Sequence, residues 1–218
     1  MPAVRRYALV AGGIAVAYVA FSAIVAAGLL HRFDLEVASS FATIYVPALL
    51  PLFRILALLG GIEVTGLLAL GLFLHLRRQG YRLGAYAAAA VPLSSIVELI
   101  YKRTINHPAP PRSLVHPDGP SISDLLERTG IINWSFPSGH VTRSLVTYGL
   151  LAFVVVRLAG RPLLRRLALP LALAIVLLEA FDRLYLEVHW ESDVIGGLLL
   201  GATFLAASIS WLEWSEAK

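Results

Sequence analysis

Ile131-Ile132-Asn133-Trp134-Ser135-Phe136-Pro137-Ser138-Gly139-His140-Val141-Thr142-Arg143-Ser144 runs from a polar loop into a long apolar segment, with small donors and an imidazole at the point of change. Pro137 fixes its own φ, Ser138 is a favoured N-cap type, and Gly139 lets backbone approach a ligand closely. The free N–H groups of a helix that starts here would face an anion, with Ser138 Oγ beside them and His140 in the first turn. An ordinary helix start after a loop uses the same residue types, so the weight of this reading comes from the rest of the chain.

The apolar segment that follows His140 has counterparts throughout. Of the 218 residues 58% are hydrophobic and 15% charged, and the mean hydropathy of +0.75 does not fit a water-soluble surface. The expectation is an all-α, polytopic membrane bundle. Six runs are long enough to cross a hydrocarbon layer: residues 7–30, 61–76, 83–101, 140–156, 167–187 and 193–211. Residues 34–59 are apolar too but carry Pro47, Pro51 and Arg54, and read as one or two helices lying at the interface or dipping into it. The first run is too long for the apolar part of a signal peptide and lacks an obvious cleavage site, so it reads as a retained span. With no repeat or flexible linker, residues 1–218 read as one transmembrane domain. The absence of cysteine excludes disulfides, thiolate catalysis and cysteine metal sites.

Arginine placement orients the bundle. Arg5 and Arg6 precede the first span, Arg77, Arg78 and Arg82 follow the second, and Arg157, Arg161, Arg165 and Arg166 follow the fourth. The positive-inside rule puts these ends and both termini in the cytoplasm, and loops 31–60, 102–139 and 188–192 on the far side, as expected of a plasma-membrane protein with an extracytoplasmic site. The same arginines account for the basic pI of about 9.6. They form no compact run interleaved with aromatics, which excludes nucleic acid as a partner.

The far-side ends carry Lys102, then Asn106-His107-Pro108-Ala109-Pro110, then Pro137-Ser138-Gly139-His140, then Asp182-Arg183, His189 and Asp193. If His189 and Asp193 share the first turns of the sixth helix, their i,i+4 relation lets the carboxylate accept Nδ1–H and leaves Nε2 as a nucleophile. Arg183 and Lys102 supply a planar fork and a compact charge for phosphate oxygens.

These residues resemble the type 2 phosphatidic acid phosphatase family, membrane lipid phosphatases of the vanadium haloperoxidase superfamily. Its signatures are Lys, six residues, Arg-Pro; Pro-Ser-Gly-His; and Ser-Arg, five residues, His, three residues, Asp. The second is complete here. The third keeps Arg183, His189 and Asp193 but has Asp182 for Ser, and the first keeps Lys102 and Pro110 but has Ala109 for Arg. The resemblance covers roughly residues 100–200. It implies that His189 attacks phosphorus to give a phosphohistidine and that Asp193 orients it. His140 would protonate the leaving oxygen and then activate water, while Lys102, Ser138, Gly139 and Arg183 hold the phosphate oxygens. Arg143, one turn beyond His140, is the preferred substitute for the arginine missing at Ala109, ahead of Arg103 and Arg112. Neither cofactor nor metal is expected, because the carboxylate clusters of a Mg²⁺ site are missing from the far-side loops and the histidines lack an evident third Zn²⁺ ligand.

The expected function is hydrolysis of a lipid phosphomonoester or diphosphate, of the phosphatidic acid, phosphatidylglycerophosphate or polyprenyl class. Lipid phosphate and membrane lipids are the expected partners, and the sequence sets no oligomeric state. The alternatives are a lipid phosphotransferase using the same intermediate and a non-catalytic lipid-phosphate binder, against which the His–Asp pair argues. His31, His75 and His116 read as solvated, and His107 as a possible headgroup contact. Glu98, four residues before Lys102, reads as its ion-pair partner, Asp124 and Glu127 as a solvated face, and the four tryptophans as an interfacial belt.

Overall fold

The computed structural model describes residues 2–111 and 134–216, and the described residues are helices and short connections. Arg112, His116, Asp124 and Glu127 lie outside them. In chain order the helices are α1 (Pro2–Ala26), α2 (His31–Ile44), α3 (Leu50–Leu56), α4 (Ile62–Arg78), α5 (Ala90–Thr104), α6 (Gly139–Leu158), α7 (Pro162–Tyr185) and α8 (Glu191–Glu216), with 3-10 turns at Pro47–Leu49, Ala57–Leu59 and Gly84–Ala89.

Five stretches are long and apolar enough to cross a membrane: Pro2–Ala26, Pro47–Arg78, Gly84–Thr104, Gly139–Leu158 and Glu191–Glu216. The protein is an integral membrane protein. The remaining expected span is α7, whose 24 residues have the length but also carry Arg165, Arg166, Glu179, Asp182 and Arg183. The last three are no more than 1% exposed, while Leu169, Leu171, Leu173 and Leu177 on the same helix are more than half exposed. Charges turned inward and leucines turned outward are the arrangement a lipid-facing helix requires when it also lines a polar interior. Pro162 opens the helix at its first position, where its missing N–H costs nothing.

The segment expected at the interface, 34–59, divides. Its first part is α2, with Asp34 buried and Phe33, Leu35 and Ile44 exposed. Its second part runs as short turns directly into α4, so the helical stretch begins at Pro47 rather than near Gly61. Prolines at 47 and 51 each stand at a first or second helical position, where they start turns instead of breaking them. Phe53 of α3 stacks on Tyr185 at the end of α7, with centroids 4.0 Å apart, and the Tyr185 hydroxyl accepts Val46 N–H at 2.8 Å.

α8 packs along α1 and α6, and α6 along α7. Without a hydrophobic force between helices in lipid, close backbone approach through small residues is what makes such contacts favourable. Here α8 supplies Gly196, Gly197 and Gly201. A Cβ on Gly197 would lie 2.6 Å from Ser138 O, one on Gly201 3.0 Å from Thr142 O, and one on Gly196 inside the Phe136 ring. Thr142 Oγ1 donates to Gly197 O at 3.2 Å across the same crossing. This contact carries the start of α6 up to the start of α8.

Candidate active site

Asp193 is the third residue of α8, and its carboxylate reaches back to the N–H of Trp190, the residue before the helix, at 3.0 Å. That is half of a capping box, and it places a carboxylate where the helix dipole favours one. The same Oδ2 lies 3.1 Å from Nδ1 of His189. Nδ1 therefore carries the hydrogen, and Nε2 keeps its lone pair. Asp193 Oδ1 accepts the Ser135 hydroxyl at 3.2 Å, and Asp193 O accepts Ser138 N–H at 2.9 Å, which ties the loop before α6 directly to α8.

Ser138 caps α6 by position, but its Oγ makes no capping bond. The atom is buried with no hydrogen-bond partner among the described residues, and the residue is 0% exposed. A buried hydroxyl left unsatisfied costs about 1–3 kcal/mol, so a ligand oxygen at this point recovers that cost. His140, in the first turn, is buried, and the charges of Arg183, Arg143 and Lys102 all act on it. The residues expected from the sequence thus converge on one end of the bundle from α5, α6, α7 and α8.

The cations are held by internal carboxylates. Glu98 Oε1 lies 3.4 Å from Lys102 Nζ, as the i,i+4 spacing suggested, while Oε2 accepts Arg143 Nη1 at 2.8 Å. Arg143 Nε donates to Gly60 O at 3.0 Å, and Gly60 N–H donates to Glu179 at 3.1 Å. Arg183 pairs with Asp182, the residue that departs from the signature. Arg143, read from the sequence as the substitute phosphate ligand, is buried with Glu98 and the Gly60 carbonyl as partners. Gly139 is also explained differently. A Cβ there would collide with the Glu98 carboxylate, so its lack of a side chain makes room for a protein anion at the head of α6. Ala109 is exposed in the loop after α5, as is Arg103 near the end of that helix.

Sequence reasoning missed Asp34, Ser135, Ser192 and the Gly60–Glu179 contact. Asp34 is 1% exposed, and burial pushes its carboxyl above the usual range, opposed by hydrogen bonds from Ser192 and by the neighbouring His107. Asp34 set between the apolar Phe33 and Leu35 was the available signal.

A family model, the PAP2 superfamily, matches residues 64–217 of the chain. The chain belongs to the PAP2 superfamily. Its structure is similar to the crystal structure of a transmembrane PAP2-type phosphatidylglycerolphosphate phosphatase from Bacillus subtilis, with a TM-score of 0.69, 20% identity, and coverage of 90% of this chain and 92% of that one. No curated protein matches. The PAP2 match includes Lys102, Ser138, His140, Arg183, His189 and Asp193 but begins after α2 and Gly60. The Asp34 and Gly60 contacts therefore lie outside the matched segment, which is one reason they were not visible from the signatures.

Proposed function

We propose that the protein is a membrane lipid phosphatase that hydrolyses a lipid phosphomonoester or diphosphate through a phosphohistidine on His189. The observation that carries this reading is the 3.1 Å contact of His189 Nδ1 with Asp193, on a helix start joined to the one that bears His140 and the unpartnered Ser138 Oγ. Membership of the PAP2 superfamily and a fold shared with a membrane phosphatase support the reaction class.

In this mechanism His189 Nε2 forms a bond to phosphorus while the bond to the lipid oxygen breaks, and His140 gives its proton to the departing oxygen. His140 then takes a proton from water, the hydroxide attacks the phosphohistidine, and phosphate and free His189 result. Asp193 holds Nδ1–H throughout and balances the charge that builds on the ring. Ser138 Oγ, the Gly139 N–H, Lys102, Arg183 and Arg143 face the phosphate oxygens, and these donors perform the neutralisation that a metal performs elsewhere. Beside His189 a small pocket is lined by Val37, Phe41, Pro110 and Trp190 together with Glu187 and Glu191. Arginine placement supports an extracytoplasmic site in the plasma membrane.

The test is phosphate release from a panel of lipid monophosphates and diphosphates by purified wild type and His189→Ala in detergent. Wild-type release without added metal, lost in the variant, is expected; substantial turnover by His189→Ala removes the covalent mechanism. For orientation, a thiol placed at Thr104 in this cysteine-free chain should react with an impermeant reagent from outside intact cells, and one at Gly160 should not. The reverse labelling puts the site on the cytoplasmic face.

A further inference from the structure

The His189–Asp193 pair is the end of a longer buried chain. Asp34, delivered by α2, accepts Ser192 N–H through Oδ1 at 2.9 Å and the Ser192 hydroxyl through Oδ2 at 2.8 Å. With its hydrogen given to Asp34, Ser192 Oγ can only accept from His107 Nε2, 3.2 Å away. The hydrogen of His107 therefore resides on Nε2. That same nitrogen lies 3.5 Å from Asp193 Oδ1 and 3.9 Å from Asp34 Oδ2, so one N–H stands between two buried carboxylates. The Ser135 hydroxyl and the Trp190 N–H complete the set around Asp193. His107 is itself fixed, because its carbonyl accepts the Ser135 N–H at 3.0 Å.

We propose that Asp34 and His107 are positioning residues for the phosphatase reaction: Asp34, through Ser192, holds the His107 ring, His107 fixes the orientation of the Asp193 carboxylate, and Asp193 the tautomer and aim of His189. The proposal rests on the phosphatase reading above. Its physical basis is that a carboxylate bonded on one oxygen only can turn, whereas Asp193 is engaged on both, and a nucleophile misdirected by even an ångström loses much of its rate. A merely structural role, in which Asp34 only pins α2 to the head of α8, makes a different prediction. Loss of the pin lowers stability and disturbs substrate binding, while loss of positioning lowers turnover at unchanged binding.

The experiment uses the full chain in detergent, with a lipid phosphate that the wild type hydrolyses, and compares Asp34→Asn, His107→Gln and the double variant for kcat, KM and thermal unfolding. Each single variant is expected to lower kcat by about 10-fold to 100-fold, the range for outer hydrogen-bond partners of a working histidine, with KM within about twofold. The double variant should fall little further, because both changes act through Asp193. If Asp34→Asn does not fold, Ser192→Ala removes the hydroxyl link while keeping the Ser192 N–H and should show the same split. Wild-type kcat in the single variants overturns the proposal, as does a rate loss matched by a rise in KM or by loss of folded protein, or strict additivity in the double variant. A wild type that releases no phosphate from any lipid overturns the phosphatase reading and this proposal together. An active wild type with unimpaired variants overturns the proposal alone.

Discussion

At the head of α8 the carboxylates of Asp193 and Asp34 have all their oxygens engaged by Trp190, Ser135, Ser192 and the two histidines. At the head of α6, a few ångströms of backbone away, Ser138 Oγ is buried with no partner among the described residues, and Lys102 and Arg143 are held by Glu98. In the proposed mechanism this makes a nucleophile built to stay still and a phosphate seat built to exchange partners. Substrate would give Ser138 an acceptor and would compete with Glu98 for cations whose desolvation has already been met. On that reading preorganisation lies on one side of the reacting phosphorus and adaptability on the other.

The largest break of this contrast is expected from Asp193→Asn, which leaves the shape intact but replaces an acceptor with a group that can donate to Nδ1 and so favours the wrong tautomer. A drop in kcat of about 10⁴-fold is expected, as for the orienting aspartate of other triads, read as the rate of phosphate release. A variant within tenfold of wild type would show that the still side does not depend on Asp193. Next comes Arg143→Ala, expected to lower kcat/KM by roughly 10²-fold through loss of a charge-assisted contact worth a few kcal/mol, with Ala109→Arg restoring part of it. Near-wild-type turnover in a folded Arg143→Ala would confine that arginine to pairing with Glu98. Gly139→Ala tests the crowding at the head of α6. Its methyl displaces the Glu98 carboxylate from Lys102 and Arg143, and a loss of about tenfold, relieved in Gly139→Ala with Glu98→Ala, is expected from steady-state rates. The smallest effect belongs to Ser138→Ala, about fivefold to tenfold in kcat/KM, the value of one neutral hydrogen bond. An equal loss in thermal stability would mean that its hydroxyl serves the fold instead.

Much of this could be read in the chain because membrane helices announce themselves locally. Apolar runs located the spans within a few residues apart from the second, whose helical stretch begins at Pro47, and short motifs at their ends singled out Lys102, Ser138, His140, Arg183, His189 and Asp193 as candidates. What could not be read was any partner chosen at long range. Asp34 and Ser192 are 158 positions apart, and Arg143 and Gly60 are 83 apart; no periodicity links such pairs. The burial of Arg143 was evident from its apolar helix, but the identity of its partner was not, because Glu98 had already been assigned to Lys102 by the stronger i,i+4 rule. A carboxylate with two oxygens serves both. The continuation of residues 47–59 into α4 was missed for a related reason: prolines at 47 and 51 suggest interruption, yet at the first turns of successive helical pieces they are initiators.

The glycine crossing of α6 and α8 has a mechanical consequence. Where Gly197 meets Ser138 O and Gly201 meets Thr142 O, backbone rests on backbone with no side chain between, so there is no rotamer to change and little to compress. Bilayers that differ in thickness tilt and slide helices whose contacts run through flexible side chains. The spacing between the start of α6, which bears His140, and the start of α8, which His189 precedes, is set instead by a hard stop. In the proposed mechanism that stop insulates the reaction distance from the membrane around it.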